Sequence, residues 1–281
     1  MLSIKDFMIL TKFNLSFAVT LSAVFSFILV KQSITLDLLL PLVAVLLLAL
    51  GVSALNQYQE YKDDAKMPRT KNRPIASRKI SPKEGLLIAF YLILLSYITI
   101  WFSLGLQGLL IFTAVVFLYN IVYTKTKKTS VYAAVYGAIL GVIPPLVGWL
   151  AGGGAATDIQ FLAIALFYLV WQIPHFWLLI LKYHEQYEGA GFKTVATTFG
   201  INRLERITFI WLLLTLICGV FTIMVFPVNS IIIFSLMILL VAYTFYSVMS
   251  LQKTHKYIKV FISINIYITA LMILLVINIL I

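Results

Sequence analysis

The sequence predicts an all-α integral membrane protein, a bundle of about nine transmembrane helices forming a single domain over 1–281. Hydrophobic residues make up 62% of the 281 positions, and charged residues only 11%. Apolar windows of about 20 residues, the length that crosses the hydrocarbon core of a bilayer, recur along the whole chain. A soluble domain of this size does not need so much apolar surface, so lipid must solvate most of the chain.

Nine apolar windows are long enough to cross the membrane. They lie at 13–30, 38–56, 86–104, 107–123, 132–151, 159–181, 205–226, 230–251 and 258–280. The two long charged loops follow the second and the sixth window, which is the same position in two successive groups of four helices. We therefore expect four-helix pseudo-repeats over 13–123 and 132–251, followed by a last helix at 258–280.

The charges in the loops predict the orientation. Of the 21 Lys and Arg residues, all but Lys31 lie in, or at the membrane edge of, loops on one side of the predicted bundle. Those loops are 1–12, 57–85, 124–131, 182–204 and 252–257. The positive-inside rule places this side and the N-terminus in the cytoplasm, and the C-terminus across the cell (inner) membrane. Contact with anionic lipid headgroups accounts for the net charge of +11, so no nucleic-acid partner is expected.

The charged segment after the second window, Asn56–Pro74, is the strongest functional signal. Nothing interrupts the helix before Pro68, so Asn56, Glu60 and Asp64 fall on one helical face at intervals of four residues. Amide and carboxylate oxygens in this arrangement are suited to Mg²⁺. The alternative is a solvated helix at the membrane edge, whose acids only balance the neighbouring basic residues.

Basic side chains follow these acids closely. Lys66, Arg69, Lys71 and Arg73 lie within ten residues of Asp64. Lysine and arginine head groups bind phosphate oxygens through charge-assisted hydrogen bonds. A cation site and a phosphate site at the mouth of a membrane bundle together indicate chemistry on a lipid diphosphate.

Two features inside the apolar windows predict a cavity. His175 follows Pro174 in the sixth window, and an intramembrane histidine usually faces a cavity or a partner. The alternative is a packed, hydrogen-bonded histidine at a proline kink. Pro144 and Pro145, with glycines nearby, predict an interrupted fifth span that forms a cavity wall.

These motifs resemble a known family. N-x-x-x-E-x-x-x-D over 56–64 resembles the first acidic motif of the UbiA superfamily of intramembrane prenyltransferases, and M-x-R-T-K-N-R-P over 67–74 resembles its protohaem IX farnesyltransferase branch. YNIVYTKTKKTS at 119–130, GAILGVIPPLVGW at 137–149 and WQIPHFW at 171–177 are similar to further segments of that branch. The similar segments span 56–200, about half of the chain.

The resemblance implies an enzyme with a UbiA-type fold that uses Mg²⁺ as cofactor. Its partners would be farnesyl diphosphate, haem B and the lipid bilayer, and the transfer of farnesyl to a haem vinyl group would give haem O. The implied metal ligands are Asn56, Glu60 and Asp64, with Glu185 and Glu188 from the second charged loop. The implied catalytic residues are Asn56, Glu60, Asp64, Lys66, Arg69 and Arg73, and the implied substrate-binding residues are Lys71, Tyr123, Lys125, Lys128, Trp171, Gln172, His175 and Tyr187.

The sequence departs from the family pattern at three places, one of them KTVA at 193–196, which replaces an M-L-P-V-like stretch of the family. Glu60 stands where the family more often has Asp, and Gln186 stands before Tyr187 where the family commonly has an acid. Two other functions remain open. One is a UbiA-type transferase acting on a hydroxybenzoate, a naphthoate or a chlorin. The other is a membrane transporter, although a transporter does not need Mg²⁺-binding carboxylates at the membrane edge.

Overall fold

The computed structural model describes residues 3–126, 130, 133–189 and 194–281, and all regular secondary structure within these ranges is helical. The α-helices are α1 (Ile4–Leu10), α2 (Phe13–Lys31), α3 (Leu39–Asp64), α4 (Pro82–Val116), α5 (Thr124–Thr126), α6 (Ala133–Ala151), α7 (Ile159–Gly189), α8 (Val195–Phe199), α9 (Ile201–Val225), α10 (Ile231–Thr254) and α11 (Tyr257–Leu280). A 3₁₀ turn (Leu36–Leu38) precedes α3, and a π-helical segment (Phe117–Tyr123) follows α4.

The helix α4 is a helical hairpin rather than one straight span. Gly105 has φ 53° and ψ −137°, a conformation that only glycine adopts without strain. The chain reverses there, because the Tyr97 hydroxyl lies 3.1 Å from the Thr113 hydroxyl, 16 residues later. A straight helix would separate them by about 24 Å.

The number of spans follows from this hairpin. In the described residues, eight helical stretches are long and apolar enough to cross a membrane, and the stretch Pro82–Thr126 is 45 residues long. Since Gly105 divides that stretch, the windows predicted at 86–104 and 107–123 are separate spans and the prediction of about nine helices is confirmed. The outer surface carries large exposed apolar side chains such as Trp101 and Phe102, as expected of a multi-pass membrane protein.

The prediction of an interrupted fifth span is wrong. The helix α6 continues through Pro144 and Pro145 from Ala133 to Ala151. The helix α6 approaches α2 closely at Gly148, where a Cβ would fall 1.9 Å from the backbone oxygen of Ala23. Packing against neighbouring helices holds together a proline-containing helix that would be weak alone. The helix α7 likewise runs through Pro174 without a break.

The charged loops meet at one end of the bundle. Lys79 bonds to Asp6 at 3.2 Å, which joins the first long loop to the N-terminal segment. The first long loop is bounded by the end of α3 at Asp64 and by a capping box in which Ser81 and Glu84 start α4. This loop therefore lies against α1 and α3, where Ile75 and Ile80 pack with Leu10 and Ala54.

Candidate functional site

The predicted acidic face is buried within the bundle. Asn56, Glu60 and Asp64 are 1%, 5% and 2% exposed, and all three lie in the last turns of α3. A solvated helix at the membrane edge would leave its acids in water, so this burial argues against that alternative. Buried carboxylates are costly unless a cation or several donors compensate them.

Arg73 compensates one of these carboxylates. Its Nη1 donates to both carboxylate oxygens of Asp64 at 2.8 Å. The Thr70 hydroxyl donates to the backbone oxygen of Asp64 at 2.9 Å and fixes the loop that carries the arginine. The structure thus brings Asp64 and Arg73 together as a pair. From the sequence, Asp64 was expected to bind the metal and Arg73 the phosphate.

Lys12 is a member of the site that sequence reasoning missed. Its Nζ donates to the side-chain oxygen of Asn56 at 3.1 Å and lies 3.5 Å from the hydroxyl of Tyr119. Its backbone is left-handed, with φ 49° and ψ 47°, at the turn that starts α2. The only sequence signal was a lysine placed directly before the first apolar window.

The charge of Lys12 is electrostatically coupled to the site. Burial, and then the nearby charge of Arg73, lower its pKa to about 8, while Glu60 and Asp64 act in the opposite direction. Arg69 also lowers this pKa, so its charge acts on the same site although its side chain is exposed. Two carboxylates and three basic groups therefore share one partly dehydrated region.

The π-helical segment Phe117–Tyr123 forms another wall of the site. The Asn56 side-chain amide donates to the Thr124 hydroxyl at 3.1 Å, and this hydroxyl donates to the backbone oxygen of Tyr119 at 2.8 Å. Tyr123, a predicted substrate contact, stacks on Tyr119 with ring centroids 5.7 Å apart. π-Helical turns occur often at functional sites because they displace side chains from the regular helical register.

Other predicted phosphate contacts lie at the surface. The Lys66 side chain is 76% exposed and pairs with Asp63 at 3.7 Å. Lys71 and Lys125 are also exposed. Lys128 lies outside the described residues, so its predicted role stays a prediction.

The second charged loop does not complete an acidic cluster in the described part of the chain. Glu185 and Glu188 are exposed at the end of α7. Among the described residues, no three His, Cys, Asp or Glu side chains lie close enough together to hold a metal ion. The side chain of Tyr187 lies outside what the structure describes. The roles assigned to these three residues therefore stay predictions.

The remaining predicted residues lie together in α7, away from the carboxylates in sequence. The His175 ring lies 4.7 Å from the ring of Trp171 and 4.7 Å from that of Phe261 in α11, measured between centroids. Gln172 Oε1, His175 Nδ1 and Trp177 Nε1 are buried without a hydrogen-bond partner among the described residues. Buried polar atoms normally have hydrogen-bond partners, so these three atoms are available to bind a polar or metal-containing substrate.

These features define a class of protein: a multi-pass membrane protein with buried carboxylates and basic side chains together at one end of its helical bundle. The chain belongs to the UbiA prenyltransferase family, which matches residues 16–277. It is therefore a membrane enzyme, a prenyltransferase, and the transporter alternative is not supported.

Curated relatives and solved structures agree with this assignment. A protein of Nitratidesulfovibrio vulgaris named protoheme IX farnesyltransferase is 34% identical over 209 residues, covering 74% of this chain and 73% of the relative. A protein of Oleidesulfovibrio alaskensis with the same name is 35% identical over 182 residues, covering 65% and 64%. The sequence resemblance to this branch is confirmed.

Solved structures share the fold at lower sequence identity. A digeranylgeranylglyceryl phosphate synthase superimposes with a TM-score of 0.78 at 15% identity, covering 99% of this chain and 98% of the other. A UbiA homologue from Archaeoglobus fulgidus bound to GPP and Mg²⁺ superimposes with a TM-score of 0.75 at 16% identity, covering 98% and 99%. The predicted UbiA-type fold is therefore confirmed.

Proposed function

We propose that this enzyme transfers a farnesyl group from farnesyl diphosphate to a vinyl group of haem B, giving haem O, with Mg²⁺ as cofactor. The observation that carries the proposal is the buried face of Asn56, Glu60 and Asp64 beside the cationic groups of Lys12 and Arg73. The names of the curated relatives and the WQIPHFW segment support haem as the acceptor.

The donor atoms on this face fit a Mg²⁺ ion. Magnesium prefers oxygen ligands, and the face offers one amide oxygen and two carboxylates. The Asn56 oxygen already faces the Lys12 ammonium and the Asp64 oxygens face the Arg73 guanidinium, so these atoms are oriented toward positive charge. Asn56, Glu60 and Asp64 would hold the ion, which would supply positive charge to neutralise the diphosphate leaving group.

The basic residues act on the leaving group. When the bond between the allylic carbon and the diphosphate oxygen breaks, its electron pair goes to the oxygen and negative charge grows on the diphosphate. Lys12, Arg69 and Arg73 lie where they can oppose that charge, and a partly dehydrated site strengthens their effect. The vinyl carbon of the acceptor then attacks the allylic cation. Water adds to the resulting cation and loses a proton, which leaves a hydroxyl group.

The acceptor would lie against α7. Glycines in α6 let its backbone approach this part of α7 closely, because a Cβ at Gly137 would fall 2.6 Å from the Phe176 ring and a Cβ at Gly141 3.1 Å from the Gln172 side chain. The unpaired Nδ1 of His175 offers a nitrogen ligand for iron or an acceptor for a hydrogen bond. Since two aromatic rings cover His175, binding of a macrocycle would require one of them to rotate away.

We also place the charged end of the bundle in the cytoplasm, with the N-terminus there and the C-terminus across the cell membrane. The support is the distribution of Lys and Arg, which leaves only Lys31 on the opposite side. Reporter fusions at the two termini test this: cytoplasmic activity of an N-terminal fusion and its absence at the C-terminus are expected.

Product analysis tests the reaction. Purified protein in detergent is incubated with haem B and farnesyl diphosphate, with Mg²⁺ or with a chelator. The haems are then separated, and their masses are measured by mass spectrometry. We expect a more hydrophobic haem whose mass has increased by one farnesyl group and one hydroxyl group, formed only with Mg²⁺. Prenylation of a hydroxybenzoate, a naphthoate or a chlorin in place of haem would contradict the proposed acceptor while preserving the prenyl transfer.

A further inference from the structure

A seam between the packed helices α7 and α11 runs from His175 toward the charged end of the bundle. In α7, His175 and Lys182 are seven residues apart, so they lie on the same helical face two turns from each other. In α11, Tyr257 and Phe261 are four residues apart and also share a face. The two helices pack directly, because Trp171 Nε1 in α7 donates to a backbone oxygen of α11 at 3.1 Å.

The deep end of the seam holds the unpaired nitrogen of His175. His175 Nδ1 is buried and has no hydrogen-bond partner among the described residues. Asn265 in α11 donates from its side-chain amide to the backbone oxygen of Phe261, whose ring lies against that of His175. A neutral His175 protonated at Nε2 would present the lone pair of Nδ1 to a metal.

The outer end of the seam is a basic cavity of about 460 Å³. It is lined by Leu181, Lys182, His255, Lys256, Tyr257, Ile258 and Lys259. His255 pairs with Glu205 at 2.7 Å. Within the described ranges, none of the three lysines has an acidic partner at ion-pair distance. The cavity therefore presents uncompensated positive charge to any ligand that enters it.

The spacing between the two ends suits one kind of ligand. Seven residues of helix separate His175 from Lys182 by about 10 Å along α7. A haem has its metal at the centre of the ring and both carboxylates on chains at one edge. A ring bound at His175 would therefore bring its carboxylates to the outer end of the seam, where the lysines lie.

We propose that the basic cavity formed by Lys182, Lys256 and Lys259 binds the carboxylate groups of the acceptor and thereby selects a dicarboxylate macrocycle. The inference rests on the proposed function, because it assumes a haem as acceptor. Paired with a ligand at His175, two carboxylate contacts would fix the rotation of the ring in its plane. That rotation decides which vinyl group faces the allylic donor, so the cavity would also contribute to regioselectivity.

Comparing haem B with its dimethyl ester tests the proposal, because esterification removes the two negative charges, adds two methyl groups and leaves the ring and its iron unchanged. Binding is measured from the Soret band as each ligand is titrated into the purified protein in detergent. We expect haem B to bind at least about tenfold more tightly than the ester, as charge-assisted contacts imply. The combined variant Lys182→Gln, Lys256→Gln and Lys259→Gln should bind the two ligands equally.

Two controls separate this effect from misfolding and from general charge. The same three positions changed to Arg should keep the preference for haem B, because the charge is retained. Lys253→Gln, in the same charged region but outside the cavity lining, should also keep it. Equal binding of both ligands by the unchanged protein, or a preference that persists in the Gln variant, would overturn the cavity assignment while leaving haem binding intact. If neither ligand binds, the cavity assignment and the proposed acceptor both fail.

Discussion

The pairing of Arg73 with Asp64 yields a quantitative prediction about stability. The Asp64 side chain is 3% exposed and receives both its cationic hydrogen bonds from Arg73. Arg73→Ala would leave that carboxylate buried without its partner. Removing one member of a buried ion pair costs about 3–5 kcal/mol, because the remaining charge is uncompensated.

The same loop supplies a matched control. Lys66 pairs with Asp63 at 3.7 Å, but their side chains are 76% and 38% exposed. Water and salt screen an exposed pair, so Lys66→Ala should cost at most about 1 kcal/mol. The two variants therefore remove one positive charge each from the same loop and differ chiefly in the burial of the partner.

The free energy of unfolding of each variant is measured by titration with sodium dodecyl sulfate in mixed micelles. We expect Arg73→Ala to lose several times more stability than Lys66→Ala. Arg73→Lys should lie between them, since it keeps the charge but loses the guanidinium geometry. Equal losses for the two alanine variants would refute the argument that burial of Asp64 sets the cost.

Four further predictions concern catalysis and the hairpin. Asp64→Asn should abolish transfer while Asp63→Asn has a mild effect, because only the former residue lies on the buried face; similar turnover in both would count against the assignment. Arg69→Ala should raise the KM for farnesyl diphosphate, and a KM equal to that of the unchanged enzyme would exclude it as a diphosphate contact. Lys12→Met should lower kcat/KM by roughly tenfold or more through loss of a charge-assisted contact, whereas Lys12→Arg should lose less; steady-state kinetics decide. Gly105→Ala should cost about 1–3 kcal/mol by the same unfolding titration, because its backbone conformation is strained for any other residue.

Much of the fold could be read from the sequence, since each span leaves its own local signal. The window predicted at 258–280 is observed as Tyr257–Leu280, and the window at 159–181 begins at Ile159. The helical continuation beyond the second window ends at Asp64, before Pro68. Apolar length, proline position and loop charge depend on neighbouring residues alone, so no tertiary contact was needed to find them.

The site was predicted only in part, and the contacts that the prediction missed share one cause. The four-residue spacing placed Asn56, Glu60 and Asp64 on one face, but it did not show whether protein or water covers that face. The structure covers it with Lys12, from a segment 44 residues away from Asn56, and with Arg73. No local pattern encodes a contact between distant segments, and for this reason Lys12 was missed.

The sequence by itself determined that the chain crosses a membrane many times, which end of the bundle carries the charge, and that Asn56, Glu60 and Asp64 share one helix face. Only the tertiary structure decided that Asp64 pairs with Arg73, that α6 stays continuous through Pro144 and Pro145, and that His175 keeps an unpaired nitrogen. Hydrophobicity and helical periodicity depend on residues within a few turns of one another, so the local sequence reveals them. Burial, ion pairing and the support of a proline-containing helix depend on which distant helices pack together, and this is settled only when the bundle forms.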